Sequence, residues 1–219
     1  MTRIIIIGAG GHGQVVADIL LSSNPSASLG YLVGFLDDDE QLLGTTVLGV
    51  PVLGNVAQLP ECGHDGVIVA IGDNLIRKQI LAGLMERGER IVSAIHASAI
   101  IGLDVHIGIG VTVCAGVVVN TGSVIGDGVI LNTSCTIDHH SRIGDCAHIA
   151  PGAHLGGSVQ VLEGSLIGIG SAIIPGCSIG EWAVVGAGAV VTTDIPYQAT
   201  VVGPPLRVVP RNPHGGKNR

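Results

Sequence analysis

The sequence is poor in aromatic and in charged residues. Aromatic residues make up 2% of the 219 positions and charged residues 12%, whereas 47% are hydrophobic. So few rings suit a narrow interior lined by aliphatic side chains better than a thick globular core. Basic residues are scarce too, and a formal net charge of -7 argues against binding driven by the phosphates of a nucleic acid.

Long apolar runs and paired cysteines are also missing. No apolar stretch is long enough to cross a bilayer without an interrupting glycine or charge. The run Ile4–Ile7 leads directly into glycines and does not read as a signal peptide. The five cysteines show no C-x-x-C spacing. We therefore expect reduced, interior cysteines in a cytoplasmic protein.

A six-residue repeat dominates the rest of the chain. From Ile95 to Val191 every sixth residue is Ile, Leu or Val, and the residue four positions after each of the first sixteen is small. A period of six fits neither a helix nor a flat amphipathic strand. It predicts a parallel β-helix with three short strands in each coil of about 18 residues. A sandwich of valine-rich strands is the alternative, but it does not explain the constant phase.

The repeat also assigns a place to each residue type. The large aliphatic residue is expected to fill the interior, and the small one to fit where the wall bends. Eight of the residues directly after an aliphatic position are glycine. We expect these glycines to adopt positive φ at the corners, where they have no Cβ to clash.

The first 90 residues have the pattern of a small α/β domain. A buried strand at Arg3–Ile7 leads into the glycine turn Gly8–Gly13, and helical spacing follows. Such a turn places backbone N–H groups at a helix N-terminus, where a phosphate binds well. Only half of a dinucleotide-binding domain has room before the repeats, so a mononucleotide-sized ligand is expected. The alternative is a tight turn that binds nothing.

Polar residues follow two further predicted strands. The second strand ends in Asp37 and Asp38, and the third ends in Gly72-Asp73-Asn74. Carboxylates at the carboxyl end of a strand can hydrogen-bond a ribose or a base. These residues extend the predicted nucleotide site.

A cluster of polar residues lies within the hexads at 132–140, and further histidines follow at His148 and His154. Ile137 points inward by its phase, so His139 should face outward. An imidazole beside a carboxylate is a common general base near neutral pH. Asp138 adjoins His139, but neighbouring strand residues point in opposite directions, so the two side chains need not touch.

Together these motifs resemble one family. The glycine turn Gly8–Gly13, the acidic Leu36-Asp37-Asp38, the run 70–74 and Ile137-Asp138-His139-His140 ahead of an unbroken hexapeptide array are similar to the sugar-nucleotide N-acetyltransferases. That family includes bacillosamine and perosamine biosynthetic enzymes and O-acetyltransferases of the sialic-acid type. The resemblance covers about residues 3 to 207.

The resemblance implies a fold, ligands and an assembly. The expected organisation is a half-Rossmann-like α/β domain at 1–90, a left-handed parallel β-helix at 91–195, and a C-terminal segment with a basic tail at 196–219. The implied donor is acetyl-CoA, with no metal. The implied acceptor is a 4-amino-4,6-dideoxy sugar on UDP, less often on GDP. A homotrimer with active sites between neighbouring subunits is implied as well.

The resemblance also assigns residues. It makes His139 the catalytic base and places Asn132 near the acceptor. The family usually has an acid after the base, where this chain has His140, so Asp138 or an acid from the next subunit is expected to orient His139. The implied acetyl-CoA contacts are His148, Ile169, Gly170, Ala187, Gly188 and Arg207, the last of which could equally be a surface cation. The implied nucleotide-sugar contacts are Gly10, Gly11, His12, Asp37, Asp38, Gly72, Asn74 and Arg77.

Four other functions remain as alternatives. O-acetylation of a sialic-acid-like sugar would use the same base. A zinc hydrolyase of the γ-carbonic-anhydrase type would use His139, His148 and His154 as ligands, although their spacings of nine and six do not stack them one coil apart. A pyridine-nucleotide-binding protein would use only the glycine turn. A purely structural solenoid would have no need for the polar hexads around 132–148.

Overall fold

The computed structural model of the chain describes residues 2–22 and 31–210. The N-terminal unit consists of β1 (Arg3–Ile7), α1 (Gly11–Ser22), β2 (Tyr31–Leu36), β3 (Thr46–Val47), β4 (Val50–Gly54), a 3₁₀ helix (Val56–Glu61), β5 (Gly66–Val69) and α2 (Asn74–Glu86). The strands form one sheet in the order β3-β4-β2-β1-β5. All pairs are parallel except β3 with β4.

Alternation along the central strand explains how the two helices pack. In β1, Ile4 and Ile6 belong to the core cluster that contains residues of α1, whereas Ile5 and Ile7 belong to the cluster that contains residues of α2. Successive side chains of a strand point to opposite faces, so the two helices cover opposite faces of the sheet. All four isoleucines are fully buried, as expected for a strand covered on both sides.

The remaining strands wind into a left-handed parallel β-helix with three faces. Face A contains β6 (Ala94–Ile95), β9 (Thr112–Val113), β12 (Ile130–Leu131), β15 (His148–Ile149), β18 (Leu166–Ile167), β21 (Val184–Val185), β23 (Thr200–Val202) and β24 (Arg207–Val209). Face B contains β7 (Ile100–Ile101), β10 (Val118–Val119), β13 (Thr136–Ile137), β16 (His154–Leu155), β19 (Ala172–Ile173) and β22 (Val190–Val191). Face C contains β8 (His106–Ile107), β11 (Val124–Ile125), β14 (Arg142–Ile143), β17 (Gln160–Val161) and β20 (Ser178–Ile179).

From β6 to β22 the strands pair in parallel with a spacing of 18 residues, as Thr136 does with His154. At the end of face A, β23 pairs with β21 at a spacing of 16 residues, and β24 pairs antiparallel with β23. The predicted aliphatic residue is the second residue of each strand, and from Val113 onward it is buried. Ile95, Ile101 and Ile107 are the exceptions: the first two are each 36% exposed, and Ile107 is partly buried. They belong to the first coil, which has no coil beneath it. The chain continues through the corners in the order A–B, B–C and C–A.

The expectation about the corner glycines is wrong. None of the eight glycines that follow an aliphatic residue has positive φ. They are needed because the next coil passes very close: a Cβ on Gly144 would lie 2.7 Å from the backbone N of Glu163, and one on Gly168 would lie 2.5 Å from the carbonyl oxygen of Val185. Positive φ falls two residues later, at every sixth position from Asp104 to Gly188.

The N-terminal unit packs on the β-helix through both helices. Helix α1 contacts β6 on face A. Helix α2 lies along the C–A corner, where Leu81 occupies the space that a side chain at Gly110 or Gly128 would need. Ala94, Thr112 and Ile130, which face outward on face A, are buried. The N-terminal unit therefore covers the early part of face A and leaves the later part open.

All five cysteines are free thiols, and Cys114, Cys135, Cys146 and Cys177 are buried. Burial raises the pKa of the Cys135 thiol to about 12 and that of Cys114 to about 11, which keeps both protonated. In the described part of the chain, neither helix has the length and hydropathy of a bilayer span. Of the predicted tail, residues 211–219 lie outside the described residues.

Candidate functional site

The glycine turn lies where the sheet topology favours a ligand. Strands β2 and β5 flank β1 on opposite sides, so the chain reverses its strand order at the carboxyl end of β1, a typical binding position in α/β sheets. A Cβ on Gly8, which has φ 102, would lie 2.8 Å from the Ala70 carbonyl oxygen, and one on Gly13 would meet the Gly8 carbonyl. Gly10 and Gly11 face open space, which leaves room for a phosphate beside the start of α1.

Two predicted acidic residues lie at the same edge of the sheet. Asp37 accepts hydrogen bonds from the backbone N–H of Ala9 at 2.7 Å and of Asp39 at 2.9 Å. Asp38 accepts one from the backbone N–H of Val56 at 2.9 Å. These carboxylates hold the glycine turn and the loop after β2 in place. The hydrogen bond from Ala9 brings Asp37 beside Gly10, so the structure unites these two parts of the predicted nucleotide site. Asp38 follows Asp37 and is held by the start of the 3₁₀ helix.

Arg77 is not available to a nucleotide, contrary to the prediction. The residue is 0% exposed. Its guanidinium donates to the carbonyls of Gly128 and Cys146, both at 2.7 Å, and of Ile71 at 2.8 Å, and also to the side chain of Asn74 at 2.9 Å. Burial lowers its pKa to about 10, so it stays charged at neutral pH. Arg77 joins the N-terminal unit to the β-helix.

Asn74 has a similar structural task. Its amide donates to the backbone carbonyls of Gly164 at 2.9 Å and Ser165 at 3.2 Å, and its oxygen accepts from Arg77. The two bonds to the carbonyls hold the start of α2 against the C–A corner, and the third orients the Asn74 side chain within the helix. The structure thus gives Asn74 protein partners for the groups that were predicted to bind a nucleotide sugar.

Two half-buried histidines meet at the junction between the units. Burial lowers the pKa of both His12 and His148 to about 4, and the positive charge of Arg77 adds to the effect on each. For His148 the proximity of His12 acts in the same direction, whereas the backbone of Gly72 opposes it. The Nε2 atom of His12 is buried and has no hydrogen-bond partner within the described residues. Both rings are therefore neutral at physiological pH.

Asn132 fixes the tautomer of His148 and does not contact His139. The Asn132 side-chain oxygen accepts a hydrogen bond from the backbone N–H of Thr133 at 2.8 Å. Its Nδ2 group therefore donates to Nε2 of His148, at 3.1 Å. In a neutral imidazole the other nitrogen then carries the proton, so His148 presents Nδ1–H. This is an assignment from the hydrogen-bond network.

An open groove of about 850 Å³ runs between the start of α2 and the later strands of face A. It is lined by Gly72, Asp73, Asn74, Leu75, Ile76, His148, Gly164, Leu166, Trp182 and Val184. A groove of this size accommodates a small-molecule ligand. It begins beside Gly72, at the predicted nucleotide edge, and passes the neutral ring of His148.

Trp182 in this groove was not predicted. Its ring covers Gly164, where a Cβ would lie 2.5 Å from the indole. Lys78 lies over the ring at 5.7 Å from its centroid and forms an ion pair with Glu163. Trp182 is the only tryptophan of the chain, and it occupies a corner position with φ 58 where most equivalent residues are glycine. That break in the repeat was the available signal.

His139 lies at the B–C corner, exposed as its phase predicts. Its ring occupies the space beside Gly157 of the next coil, where a Cβ would lie 2.6 Å from Cε1. Asp138 does not orient the ring: its Oδ1 accepts from the backbone N–H of His139 at 2.8 Å and from Asn120 at 2.9 Å. The ring partner is His140, with the two Nδ1 atoms 3.0 Å apart.

The predicted acetyl-CoA residues lie elsewhere, mostly at the A–B corner. Gly188 stacks one coil above Gly170, and its backbone N–H donates to the carbonyl of Ile169 at 2.8 Å. Ile169 is 60% exposed, and both glycines face open space. These residues form a narrow, accessible ledge next to Ala187. Arg207 is exposed in β24, at the end of face A.

Within one chain, the predicted catalytic base, the predicted acetyl-CoA residues and the predicted nucleotide-sugar residues therefore lie at different corners. The base lies at B–C, the ledge at A–B, and the N-terminal unit at C–A and on face A. The three histidines of the zinc alternative are likewise separated, with His148 on face A, His154 on face B and His139 at the B–C corner. Within the described residues, no group of three or more His, Cys, Asp or Glu side chains is arranged to hold a metal ion.

Comparisons with known proteins cover both units. Residues 3–84 match the PglD N-terminal domain family, and residues 158–193 match the bacterial transferase hexapeptide family of six repeats. A protein from Staphylococcus aureus (strain COL) named as an acetyltransferase is 56% identical over 36 residues, which is 16% of this chain. The match spans only 18% of that relative's length.

Solved structures are similar over nearly the whole chain. PerB from Caulobacter crescentus, in complex with CoA and GDP-perosamine, is 38% identical, with 96% of this chain and 98% of that chain covered and a TM-score of 0.88. The acetyltransferase domain of PglB from Neisseria gonorrhoeae FA1090, in complex with acetyl coenzyme A, is 37% identical, with 95% and 99% covered and a TM-score of 0.86. WeeI from Acinetobacter baumannii AYE is 30% identical, with 95% and 100% covered and a TM-score of 0.85.

Proposed function

The chain belongs to the family of sugar-nucleotide N-acetyltransferases that includes the perosamine enzyme, and from that premise we propose the reaction it carries out. The protein transfers the acetyl group of acetyl-CoA to the 4-amino group of a nucleotide-linked 4-amino-4,6-dideoxy sugar. The observation that carries this proposal is the exposed ring of His139, which is held at a β-helix corner by its contacts with Gly157 and His140.

The proposed mechanism is direct transfer without an acyl-enzyme. The sugar amine attacks the thioester carbonyl carbon, and Nε2 of His139 takes the proton from the nitrogen as the tetrahedral centre forms. The C–S bond then breaks, and the proton passes to the departing CoA sulfur. A backbone N–H of a corner turn stabilises the oxyanion. No cysteine is needed as nucleophile, in agreement with the buried, protonated thiols.

The proposed nucleotide site lies at the edge formed by Gly10, Gly11, Asp37 and Asp38. The open backbone of the glycine turn receives the phosphates beside the start of α1. The paired carboxylates reach the ribose or the base, and UDP is the proposed carrier because the pair Asp37-Asp38 resembles that of the UDP-using members of the family. Similar proteins have been solved with GDP-perosamine, so the two carriers have to be compared directly.

A homotrimer is part of the proposal. Because the base, the CoA ledge and the N-terminal unit lie at different corners of one chain, a neighbouring copy is needed to unite them. The B–C corner of one copy then faces the A–B corner and the groove of the next. His148, neutral and bound to Asn132, positions the acceptor or the thioester in that groove. Sedimentation should give three times the mass of one chain, whereas a monomer would contradict this arrangement.

The experiment that tests the function is an acetylation assay. Purified protein is incubated with acetyl-CoA and with UDP- or GDP-linked 4-amino-4,6-dideoxy sugars or their 4-hydroxy counterparts, and release of the CoA thiol is followed. We expect turnover with the amino sugars and the strongest activity with UDP. Turnover of the hydroxy sugars alone would indicate O-acetylation. No turnover of any of these sugars would refute the proposal.

Substitution of His139 tests the base. His139→Ala is expected to lower kcat by roughly 10²–10⁴-fold, the usual contribution of a general base. His106→Ala is the matched control, because His106 is also an exposed histidine, at the start of β8 on face C. An unchanged kcat for His139→Ala would remove this residue from the mechanism.

A further inference from the structure

His140 occupies a backbone position that rarely holds a large side chain. Fifteen corner residues of the described β-helix, spaced by six from 104 to 188, have positive φ, and nine of them are glycine. Bulky L-residues avoid this region because their Cβ crowds the backbone. His140 is one of six exceptions, with φ 58. Non-glycine residues held in such a conformation are enriched at functional sites, which directs attention to the contact that His140 makes.

That contact is a hydrogen bond between like atoms. The Nδ1 atoms of His139 and His140 are 3.0 Å apart, and the rings meet edge to face with centroids 5.2 Å apart and planes at 76°. A neutral imidazole has one donor nitrogen and one acceptor nitrogen. One Nδ1 must therefore carry the shared proton while the other accepts it. If His139 donates, its Nε2 has a free lone pair; if His140 donates, Nε2 of His139 carries the proton and its only lone pair, on Nδ1, is engaged.

Two glycines keep both rings in this arrangement. The His139 ring lies against Gly157 in the coil above, and the His140 ring lies against Gly122 in the coil below, where a Cβ would come within 2.8 Å of its Cδ2. Any side chain at either glycine would displace a ring. The coils above and below therefore each have a glycine where one of the two histidine rings needs space.

We propose that His140 is a positioning residue that accepts the Nδ1 proton of His139 and so fixes the lone pair of His139 on Nε2. This proposal rests on the proposed function, because it assigns to Nε2 the proton of the sugar amine. When Nε2 takes that proton, His139 becomes an imidazolium with two N–H groups. Its Nδ1–H continues to donate to the Nδ1 lone pair of His140, and this bond is stronger when the donor is charged.

A neutral acceptor does this task differently from a carboxylate. A carboxylate would fix the tautomer of His139 and would also stabilise the imidazolium by its negative charge. The neutral ring of His140 has only the first of these two effects. Asp138 is the nearest acid on the same turn, and it is held by the backbone N–H of His139 and by Asn120, at 2.8 and 2.9 Å. A charge on His139 lowers the pKa of Asp138, so the carboxylate lies close enough to act on that charge, while the hydrogen bond to the ring comes from His140.

The test uses replacements that suit the backbone. His140→Gly removes the acceptor but keeps a residue that favours positive φ. His140→Asn restores an acceptor oxygen on a residue that tolerates this region. Asp104→Gly changes another positive-φ residue, two coils below at the same corner, and serves as the control. Each is made in the full-length protein, and folding is checked by thermal unfolding.

We expect His140→Gly to lower kcat roughly 10- to 100-fold, as loss of an orienting partner typically does, with KM for acetyl-CoA changed less than twofold. His140→Asn should restore most of kcat, and Asp104→Gly should leave it unchanged. In the His139→Ala background, His140→Gly should have no further effect. A kcat within twofold of wild type for His140→Gly, or an equal loss in both backgrounds, would overturn the proposal.

A second measurement does not depend on activity. In ¹⁵N-histidine-labelled protein, the His139 signals, assigned by their loss in His139→Ala, report which ring nitrogen is protonated. We expect Nδ1–H in the wild type and a tautomer mixture in His140→Gly. An Nε2–H tautomer in the wild type would refute the assignment. If the wild type acetylates no sugar nucleotide, the proposed function fails, while this spectrum still decides the role of His140.

Discussion

Single glycines determine where the ring of His139 can lie. Gly157 has ordinary backbone angles, and the three atoms nearest to an added Cβ there all belong to the His139 imidazole. The space beside the ring is therefore kept open by the absence of one carbon. The same is true of Gly122 and His140 on the other side of the pair.

Gly157→Ala should move the base without changing a chemical group. The added methyl meets only the end of a side chain, so the ring shifts and the backbone stays. A displacement of about 1 Å can lower a rate by about 10²-fold, and we expect a fall of that order in kcat. The measurement is steady-state kinetics beside thermal unfolding. Unchanged kcat in a folded variant would show that the ring position does not matter.

At the scale of elements, α2 connects the two units. Its first residues contact the C–A corner through Asn74 and Arg77, and its middle packs through Leu81. Asp73 caps its N-terminus by accepting from the backbone N–H groups of Leu75 and Ile76, both at 2.9 Å. One helix thus covers a core, lines the groove and joins the units.

Arg77→Leu should destabilise the junction. The carbonyls of Gly128 and Cys146 would remain buried without their donor, and an unsatisfied buried group costs about 1–3 kcal/mol. We expect a loss of roughly 2–4 kcal/mol in the free energy of unfolding, measured by denaturant titration at fixed protein concentration. Arg142→Leu, at an exposed arginine in β14, is the control. Equal unfolding midpoints for both variants would contradict the assigned role.

Gly83→Ala should stabilise α2. Gly83 lies inside the helix, and nothing lies within 4 Å of an added Cβ. Alanine in a helix interior is favoured over glycine by about 0.5–1 kcal/mol. The unfolding midpoint should rise by the corresponding amount while kcat stays unchanged. The same variant is a control for Gly157→Ala, because it adds a methyl that touches no ring.

At the scale of the whole molecule, the half-buried histidines at the junction make it sensitive to acid. His12 and His148 have pKa values lowered from 6.5 to about 4. Between these values the unfolded chain binds protons that the folded chain does not, so folding is favoured above about pH 6.5 and weakened as the pH falls toward 4. The lowered pKa of each ring can reduce the free energy of unfolding by at most about 3 kcal/mol as the pH falls. Because the two rings lie close together, these two losses are not additive.

We therefore expect the free energy of unfolding to be largest above pH 6.5 and to decrease steadily between pH 6.5 and 4. The comparison is made by denaturant titration across this range in the wild type and in His12→Asn, which cannot take up the proton. The variant should show a shallower decrease. A wild-type profile that is flat between pH 6.5 and 4 would show that these rings are not buried as described.

The sequence determined much of the architecture by itself. A constant period of six, with an aliphatic residue in every unit, repeats one conformation and requires stacking of each unit on its neighbour. The glycine turn after the isoleucine strand likewise predicted a strand, a helix N-terminus and an open phosphate position. These are local patterns, in which the residues that decide the structure lie within a few positions of one another.

The tertiary structure decided what depends on distant residues. The glycines after each aliphatic residue are required by a coil about 18 residues away, so the local explanation by positive φ was wrong. Arg77 has a ligand-like position in the sequence, but folding surrounds it with carbonyls 51 and 69 residues away. His139 and His140 share a proton only because two glycines, each about one coil away, leave room for both rings. The spacing of residues in the sequence does not predict such contacts, because they depend on how neighbouring coils and units pack.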